Sequence, residues 1–506
     1  MQAGRDSFSE MSINVGSSSI KTSIFNGDNR VDININFIGL QSQTVKIKFS
    51  KGLSVKSDVY KVSVGDDLLK ASGLVIDKAK EVLELLKWTA PTKIGHRVKF
   101  AGFGTTVQEI TEHQEWILEF NDYLSSRHNS LCLAVIQETK KNFPKAMQLM
   151  VRDHAVDDLS LHSEERIPFE SSIIRRYGLY SSGYHGLAIK ACLEELKIKY
   201  QILKYSGAIC QVGSGVSVSA VLDGKVKFNT MQFAACDGPV MHNRSGTQPM
   251  GLVLRMLKYG LDPKNLSNIY SRKSGIYGLA NLPANSDITV EDILGDELLK
   301  TSKDAYLLSS ATEIFKATST VPEISSFVFA GGLATKHKWI GPELLYRAKV
   351  INSDTKRKLI QQFEKDQVFV GEEQGVKVIL VDIDEQKLIR KEMTTYRGDD
   401  LSVNFSAGVC EVPGTSVGVV KEGANGWGEG NICLNFSDSV FSFNKDHLPE
   451  AFIFLGKDKN AFFIRTVFAR ITKVPAIFIE ANDFDVSSIL NKKILLDTPT
   501  RMAIKL

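Results

Sequence analysis

The stretch that decides the fold spans residues 13–25 and reads INVGSSSIKTSIF. Apolar residues lead up to Asn14, small polar residues form a turn, and an alternating segment follows, which predicts two short strands joined by a tight Gly-Ser loop. Such a loop can hold a polyphosphate, because its amides and hydroxyls approach closely and Lys21 adds a positive charge. Asn14 and the serines are hard oxygen ligands for a magnesium shell. A Gly-Ser turn often only joins two strands, so the motif needs support from the rest of the chain.

Composition places the chain among ordinary globular proteins. Its 506 residues are enough for two or three domains, each with its own core, and 43% hydrophobic with 24% charged residues is typical of folded domains. The formal net charge is only +4 and no long basic run occurs, so we expect no nucleic-acid partner. A small local anion site remains open.

Cysteine usage and hydropathy indicate a cytoplasmic protein. The scattered cysteines form no CxxC pair, which predicts buried free thiols in a reducing compartment rather than a zinc site. They are Cys132, Cys192, Cys210, Cys236, Cys410 and Cys433. The first eleven residues are polar and Ser-rich, and no apolar run approaches the roughly 18 residues of a membrane span. Export by a route that leaves no such mark is the alternative.

The predicted elements repeat along the chain. Residues 31–64 read as alternating strand pairs and residues 66–86 as a helix. The Gly-rich residues 207–240 return to strands, with a hairpin at Asp223-Gly224. Further predicted elements are helices at 105–123, 130–143 and 301–317, strands at 146–151 and 327–330, a helix from Glu385 and a linker at 394–402. Two similar α/β lobes of this kind place a ligand cleft between them.

Motifs in a fixed order carry a family resemblance. Residues 14–21 read N-x-G-S-S-S-x-K, and seven further blocks follow. These are GHRV (95–98), RHN (127–129), RRYG (175–178), GSGVSV (213–218), NRSG (243–246), FAGG (329–332) and DE (384–385). Together they resemble the acetate kinase family, which belongs to the actin/hexokinase-like superfamily. The resemblance implies an α/β fold with two ribonuclease H-like lobes around a cleft, at residues 12–160 and 161–385, and a helix from Glu385 that returns to the first lobe.

The same resemblance implies a phosphoryl-transfer site with ATP and Mg²⁺. Residues that match the metal site are Asn14, Ser17, Ser19 and Glu385. Residues that match the nucleotide side are Lys21, Gly213, Ser214, Gly215, Gly331 and Gly332. Arg97 and Arg244 match the arginines that hold the carboxylate and the phosphoryl group, and Asp153 matches the acidic residue beside them. Phosphoryl transfer needs this charge around the equatorial oxygens; the alternative is that these residues form structural ion pairs.

The sequence departs from the family pattern at its histidines. Tyr180 replaces the catalytic histidine, Tyr184 replaces a second one, and His185 lies one step away. Gln211 replaces a phosphate-contacting histidine. Tyrosine and glutamine donate hydrogen bonds but bring no proton-linked charge. Since one lost donor to a developing oxyanion typically costs about 10²-fold or more, two losses predict a slow acetate kinase or none.

The acyl pocket departs as well. Lys99 and Arg127 stand at positions that are apolar walls in the family, and Leu179 and Ala235 replace its aromatic residue and proline. With the two arginines named above, these residues gather four positive charges, which predicts an acceptor larger and more acidic than acetate, such as a dicarboxylate or a phosphorylated compound. The alternative is that Lys99 and Arg127 extend to solvent, or that the alignment slips by one there.

Residues 401–506 resemble a different family. VPGTSVG (412–418) and VFARITKVPAI (467–477) are similar to motifs of the swivelling β/β/α phosphohistidine domain of enzymes that use phosphoenolpyruvate. Ile464 stands at the position of the phosphorylated histidine and cannot carry phosphate. The resemblance implies a domain that docks, covers the cleft or binds a protein partner.

Three functions follow from these observations. The first is a phosphotransferase that uses ATP and magnesium and acts on a small anionic metabolite other than acetate. The second is a catalytically inactive pseudokinase that serves as a binding module. The third is another group transfer in which Tyr180 or His185 takes a new role. A homodimer is compatible with each of them.

Overall fold

The computed structural model describes most of the chain in segments. The described residues are 8–16, 19–36, 43–49, 58–63, 67–101, 106–125, 128–155, 167–170, 173, 179, 181–213, 215–283, 286, 288–321, 324–365, 370–396, 402–404, 409–412, 415–422, 431–436, 449, 451–456, 474–480, 488–497 and 502–505. They form two compact units. The first comprises Met1–Phe100, Leu118–Val156 and Gly183–Tyr396, and the second comprises Ala101–Ile117, Asp157–Ser182 and Arg397–Leu506.

The first sheet of the first unit grows from the two strands around the Gly-Ser loop. Its strands are β1 (Ser9–Val15), β2 (Ser19–Asn26), β3 (Asn29–Asn36), β4 (Gln43–Phe49), β5 (Asp58–Val62), β6 (Pro91–Val98) and β8 (Met147–Arg152). They lie in the order β5-β4-β3-β2-β1-β6-β8. β1 is antiparallel to β2 and parallel to β6, and β6 is parallel to β8. The strand pairs predicted for residues 31–64 are confirmed by the alternating burial of β3.

The second sheet repeats this arrangement. Its strands are β9 (Gly207–Val212), β10 (Val216–Leu222), β11 (Lys225–Asn229), β12 (Ser326–Ala330), β13 (Val370–Glu373) and β14 (Val376–Val381). They lie in the order β11-β10-β9-β12-β14-β13. β9 is antiparallel to β10 and parallel to β12, as β1 is to β2 and β6. The predicted hairpin is confirmed, with Asp223 at φ 50° and Gly224 at φ 79° in its turn.

Helices cover these sheets. Those of the described residues are α1 (Leu68–Leu85), α2 (Glu112–Phe120), α3 (Asp122–Ser125), α4 (His128–Asn142), α5 (Gly186–Lys199), α6 (Met250–Lys258), α7 (Pro263–Arg272), α8 (Gly275–Leu279), α9 (Val290–Gly295), α10 (Lys300–Thr320), α11 (Gly332–Lys336), α12 (Ile340–Arg347), α13 (Ser353–Glu364) and α14 (Glu385–Thr395). A 3₁₀ turn spans Glu297–Leu299. The core strand β12 buries Phe327 and Phe329 in one cluster and Val328 with Ala330 in another.

One predicted helix is wrong at its start. Residues 105–123 were expected to be helical, but strand β7 (Val107–Glu109) precedes α2, which begins only at Glu112. The boundary has a local cause: the side chain of Gln114 accepts hydrogen bonds from the backbone N–H and the hydroxyl of Thr111. This side-chain cap satisfies donors at the first turn and favours a helix start here.

Helix α14 connects the end of the first unit to its beginning. Gln386 accepts a hydrogen bond from Ser12 Oγ at 2.8 Å and donates one to the Lys21 carbonyl at 2.5 Å. Arg390 pairs with Glu10 at 2.8 Å. The helix packs directly on β6, where a Cβ on Gly95 would lie 3.0 Å from Ile389. The N-terminus of α14, with Glu385, therefore lies at the Gly-Ser loop.

The second unit contains a third sheet. Its strands are β15 (Ser402–Asn404), β16 (Val409–Val412), β17 (Thr415–Glu422), β18 (Asn431–Phe436), β19 (Ala451–Gly456), β20 (Ala476–Glu480), β21 (Lys493–Asp497) and β22 (Met502–Lys505). Their order is β15-β22-β21-β17-β18-β19-β20-β16. β17 to β20 are parallel neighbours, and the flanking pairs are antiparallel. Ile464 lies outside the described residues. In the described part of the chain, no helix is both long and apolar enough to cross a membrane.

Candidate active site

A chain of polar contacts connects the ends of four elements of the first unit. Asn14 and Arg97 are register partners on the parallel strands β1 and β6, so their side chains lie together. Arg97 donates from Nη1 to Asn14 Oδ1 at 2.9 Å and from Nη2 to Asp153 Oδ2 at 2.5 Å. Asn14 Nδ2 donates to Glu385 at the start of α14. The structure thus brings together four of the residues that the sequence predicted for the site.

Asp153 is held on both of its sides. It follows β8, and its backbone N–H donates to the Val98 carbonyl at 2.9 Å. Its Oδ1 accepts from the backbone N–H of Leu187 in the first turn of α5, at 3.1 Å. This close approach requires the glycine before it, because a Cβ on Gly186 would lie 1.7 Å from the His154 carbonyl oxygen. Asp153 therefore connects Arg97 and the end of β6 to the first turn of α5.

Charge decides the protonation of this pair. Burial is the largest influence on the Asp153 carboxyl and raises its pKa, but the charge and hydrogen bond of Arg97, together with the neighbouring basic groups, outweigh it, and the pKa lies below its ordinary value. Burial likewise lowers the pKa of Arg97, while the charges of Asp153 and Glu385 raise it above its ordinary value. Both groups are ionised at neutral pH, and the pair is balanced within the protein.

Lys99 and Arg244 form a second, cationic part of the site. Lys99 directly follows the end of β6 and lies close enough to Arg97 and Arg244 for their charges to lower its pKa. Its side chain is buried, at 4% exposure, which contradicts the expectation that it extends to solvent. Arg244 is 6% exposed and donates from Nη1 to the Ala235 carbonyl at 2.7 Å. Among the described residues, no carboxylate pairs with either cation.

The pKa values reflect this lack of partners. Burial lowers the pKa of Lys99 well below its ordinary value, and the charges of Arg97 and Arg244 lower it further. Burial also lowers the pKa of Arg244, to about 10, with a smaller contribution from Arg97. A bound anion would relieve both effects, because an opposite charge favours the protonated form of each base.

The turn between β9 and β10 contacts this cationic part. Gly213 N–H donates to the Gly215 carbonyl at 3.0 Å, which closes the turn. A Cβ on Gly215 would lie 2.8 Å from Arg244 Nη2, so the absent side chain makes room for the guanidinium. The carbonyl of Gly213 accepts from Tyr306 at 2.8 Å. The second sheet thus presents a short Gly-containing turn at the position that the Gly-Ser loop has in the first.

His185 is a site residue that the predicted site residues did not include. Position 184 matches the family's second histidine, but Tyr184 is buried, contacts the Phe100 ring at 4.9 Å and donates to the Phe233 carbonyl. His185 instead lies beside Arg244 and Gly215, and its Nδ1 is 2.8 Å from Ser217 Oγ. The available signal was the histidine one residue away, together with the preceding glycine: Gly183 (φ 62°) and His185 (φ 61°) both have a left-handed backbone.

Gln211 lies on β9 of the second sheet, beside Gly331. Its Nε2 is 3.0 Å from the place that a Cβ on Gly331 would take, and its buried Oε1 has no hydrogen-bond partner among the described residues. Gly331 has φ 94° and precedes Gly332 at the start of α11. Gly331, one of the predicted nucleotide-side glycines, therefore lies beside Gln211.

The Gly-Ser loop supplies the remaining oxygen donors. Gly16 N–H donates to the Ser19 carbonyl at 2.8 Å, and Ser19 Oγ lies 2.9 Å from the place of a Cβ on Gly16. Lys21 is exposed on β2 and is the register partner of Asn14. In the part of the chain that the structure describes, no group of three or more His, Cys, Asp or Glu side chains could hold a metal. A magnesium site here would depend on amide, hydroxyl and single carboxylate oxygens.

Several predicted residues cannot be placed in this geometry. Ser17, Arg127, Tyr180 and Ser214 lie outside the described residues. Leu179 is half-buried and belongs to the second unit. The functional roles of these five residues, like those of the other predicted site residues, stay predictions.

The two repeated sheets define a protein of the actin/hexokinase-like class, and comparisons with known proteins narrow that class. Residues 10–391 match the model of the acetokinase family. The chain therefore belongs to the acetokinase family. Membership suggests an ATP-dependent carboxylate phosphotransferase. The matched residues end before β15, so the swivelling domain predicted for residues 401–506 stays a prediction.

Individual relatives agree with this assignment. The chain is 26% identical over 400 residues to an acetate kinase of Bacteroides fragilis, covering 75% of this chain and 97% of that protein. It is 25% identical over 307 residues to an acetate kinase of Clostridioides difficile, covering 59% and 76%. Its fold is similar to a propionate kinase structure from Francisella tularensis (TM-score 0.63, 20% identity, covering 76% and 98%) and to an acetate kinase structure from Porphyromonas gingivalis (0.59, 19%, covering 77% and 99%).

Proposed function

We propose that the protein is an ATP- and Mg²⁺-dependent phosphotransferase whose acceptor carries a second anionic group. The acceptor class is a dicarboxylate or a phosphorylated carboxylic acid rather than acetate. The observation that carries the proposal is Lys99, a buried lysine beside two buried arginines. ATP-dependent transfer to a carboxylate is what family membership suggests, and the second anionic group is the additional step.

The charge on the buried Lys99 side chain needs an opposing charge. A buried ammonium costs several kcal/mol unless an opposite charge lies beside it. Asp153 is already bound to Arg97, and Glu385 is bound to Asn14. An acceptor with one carboxylate would satisfy one further cation, whereas a second anionic group would also reach Lys99. The proposal thus explains why the protein tolerates the buried lysine.

The residues around the Gly-Ser loop fit a magnesium ion. Mg²⁺ usually keeps several waters and is bound by one or two carboxylates together with substrate phosphates. Glu385 is half-buried with one carboxylate oxygen bound to Asn14, and Ser19 offers a hydroxyl nearby in the loop. Glu385, Asn14 and Ser19 would hold the ion. When bound, it neutralises charge on the phosphates of ATP.

The chain's own residues would position the reactants. Arg97 is pre-oriented by Asp153, and it presents a fixed charge to an anion in the cleft. Arg244 belongs to the segment between β11 and α6, and its Nη1 is anchored on the Ala235 carbonyl. Two neighbouring guanidinium groups suit a transition state whose charge lies on several equatorial oxygens.

The test is label transfer from γ-labelled ATP with Mg²⁺. The acceptors, offered separately, are acetate, propionate, succinate and 3-phosphoglycerate. We expect succinate or 3-phosphoglycerate to exceed acetate in kcat/KM by about 10-fold or more, because a hydrogen bond to a charged group is worth about 1.5–3 kcal/mol. Lys99→Met should remove this preference. Lys358→Met, which changes an exposed lysine paired with Glu373, is the matched control and should keep it. A wild type that prefers acetate, with Lys99→Met unchanged, would contradict the proposal.

A pseudokinase is the second candidate function. It is supported by Gln211, which stands where the family has a phosphate-contacting histidine and leaves a buried oxygen without a partner among the described residues. No label transfer to any acceptor by the wild type, together with stabilisation by MgADP and a dicarboxylate, would favour this candidate.

The proposal for residues 401–506 rests on their motifs. With Ile464 in place of histidine, this part of the chain would bind a protein partner without carrying phosphate. Incubation with labelled phosphoenolpyruvate should leave the full-length chain unlabelled. Label retained on the denatured chain would contradict this part of the proposal.

A further inference from the structure

His185 lies in the cationic part of the candidate site, beside Arg244 and the β9–β10 turn. Its Nε2 and Cε1 each lie 3.6 Å from the place that a Cβ on Gly215 would take, and Arg244 Nη2 lies 2.8 Å from the same place. The ring is 8% exposed. The imidazole edge and the guanidinium therefore border one small space above the β9–β10 turn.

One nitrogen of this ring is bound and the other is free. Nδ1 is 2.8 Å from Ser217 Oγ on β10, which holds the ring orientation. Nε2 has no hydrogen-bond partner among the described residues. It keeps some exposure to solvent. Because the Ser217 contact fixes the ring, Nε2 is oriented to contact a ligand.

The surroundings keep the ring uncharged. Burial, which is the largest influence, and the charges of Lys99, Arg97 and Arg244 together lower the pKa of His185 to about 3. Asp153 is the opposing influence, and it is already paired with Arg97. At neutral pH the ring is a neutral donor and acceptor among three basic side chains.

We propose that His185 is a substrate-contacting residue, which donates an Nε2–H hydrogen bond to an oxyanion bound between Arg244 and the Gly213–Gly215 turn. The oxyanion belongs to the transferring phosphoryl group or to the acceptor carboxylate. This inference rests on the proposed function for the identity of the anion. The family pattern has histidines at the positions of Tyr180 and Tyr184. The inference assigns the donor role to position 185 instead.

The Ser217 hydroxyl makes this donor possible without net charge. A hydroxyl is both donor and acceptor and can rotate. When Ser217 donates to Nδ1, the ring proton is on Nε2 and faces the space beside Arg244. A neutral donor also avoids adding a further positive charge to a site in which Lys99 and Arg244 have no carboxylate partner from the described part of the chain. A proton need not be taken up when the anion binds.

The test is a pair of variants that separate the two ring nitrogens. In His185→Asn the amide reaches the position of Nδ1 and can keep the Ser217 contact, but nothing replaces Nε2. In His185→Gln the amide reaches the position of Nε2. Asparagine tolerates the left-handed backbone at position 185 better than glutamine does. A larger loss of activity in His185→Asn than in His185→Gln therefore does not come from backbone strain.

We expect His185→Asn to lower kcat with succinate by about 10²-fold with a smaller change in KM, the usual cost of losing one oxyanion donor. His185→Gln should recover at least a tenth of wild-type kcat. His96→Asn is the control: His96 is also a buried neutral histidine, but it is bound to Gln148. It should lower the melting temperature while leaving kcat of the folded protein unchanged. Equal kcat for His185→Asn and His185→Gln would overturn the inference.

Anion binding separates this inference from the proposed function. Inorganic phosphate and succinate are each titrated against the full-length protein with MgADP, and the melting temperature is followed. If the wild type transfers no label, but phosphate stabilises wild type and His185→Gln and not His185→Asn, the proposed function fails and the inference stands with phosphate as the anion. The same pattern with succinate alone assigns the carboxylate. If label is transferred and neither anion distinguishes the two variants, the inference is overturned and the proposed function stands.

Discussion

Arg97 and Arg244 are both almost fully buried, but their hydrogen-bond partners differ in charge. Arg97 has a carboxylate at 2.5 Å and a pKa above its ordinary value. Arg244 has a peptide carbonyl at 2.7 Å and a pKa lowered to about 10. Lys99 resembles Arg244 in having no carboxylate partner among the described residues.

The two arginines mark two halves of the site. One half contains its own opposing charges, and the other needs a ligand to supply them. The half of the site around Asn14, Arg97, Asp153 and Glu385 satisfies its own charges and can form without substrate. The half around Lys99, Arg244 and His185 holds two cations and a neutral base against the Gly213–Gly215 turn. An anion supplies what this second half lacks, so specificity for the acceptor should reside there.

Removal of the carboxylate from the balanced half should have the largest effect on stability. Asp153→Asn removes the carboxylate that pairs with Arg97 and leaves only the charge of Glu385 to oppose the buried guanidinium, close to Lys99 and Arg244. Breaking a buried pair in this way costs about 3–5 kcal/mol of unfolding free energy. Urea unfolding at pH 7.5 measures it. Asp304→Asn, which breaks the partly exposed pair with Arg347, is the control and should cost about 1 kcal/mol or less.

Removal of the cation from the other half should have the opposite pattern. Arg244→Leu breaks no ion pair with a described residue, so its unfolding free energy should change by about 1 kcal/mol or less. A loss as large as that of Asp153→Asn would mean that Arg244 is already compensated in the free protein, and the contrast between the halves would be lost.

Acid should destabilise the protein in part through His185. The unfolded chain binds this proton near pH 6.5, whereas the folded protein binds it only near pH 3. Between these values the unfolded state holds more protons, so the free energy of unfolding falls as the pH is lowered, by about 2 kcal/mol at pH 5 for this residue. His185→Asn should lose less stability than wild type between pH 7.5 and pH 5. Parallel losses in both proteins would show that His185 is protonated in the fold.

The smallest expected effect concerns the glycine turn. In Gly215→Ala the new methyl group meets Arg244 Nη2 at 2.8 Å, and the flexible guanidinium must move. We expect the acceptor KM to rise several-fold, about 1 kcal/mol, with the melting temperature little changed. Gly213→Ala is the control, since its nearest contact is a carbonyl at 3.7 Å. Similar KM values for the two variants would contradict the contact with Arg244.

Much of this fold could be predicted because its signals are local. The Asp223-Gly224 turn, the apolar strand before Gly331 and the helix from Glu385 each follow from residue types at short spacing. The helix expected over residues 105–123 failed at its start because the side chain of Gln114 caps Thr111 and moves the helix start to Glu112, a competition that periodicity does not reveal.

The site could be predicted only where its residues stay in register with the family motifs. Asn14, Arg97, Asp153 and Glu385 lie together in the structure as their blocks suggested. His185 was not among the predicted site residues because two left-handed backbone positions, Gly183 and His185, turn Tyr184 into the core and His185 towards Arg244. The direction of these side chains depends on tertiary packing, and the sequence signals it only through the adjacent histidine and the glycine at position 183.

The most direct test of the account is calorimetric binding of succinate and acetate, with MgADP present, to wild type and Lys99→Met. The account predicts that wild type binds succinate about 10-fold or more tightly than acetate, and that Lys99→Met binds the two acids alike. If wild type binds acetate as tightly as succinate, and Lys99→Met leaves both affinities unchanged, the unpaired half of the site does not select a second anionic group and the account is contradicted.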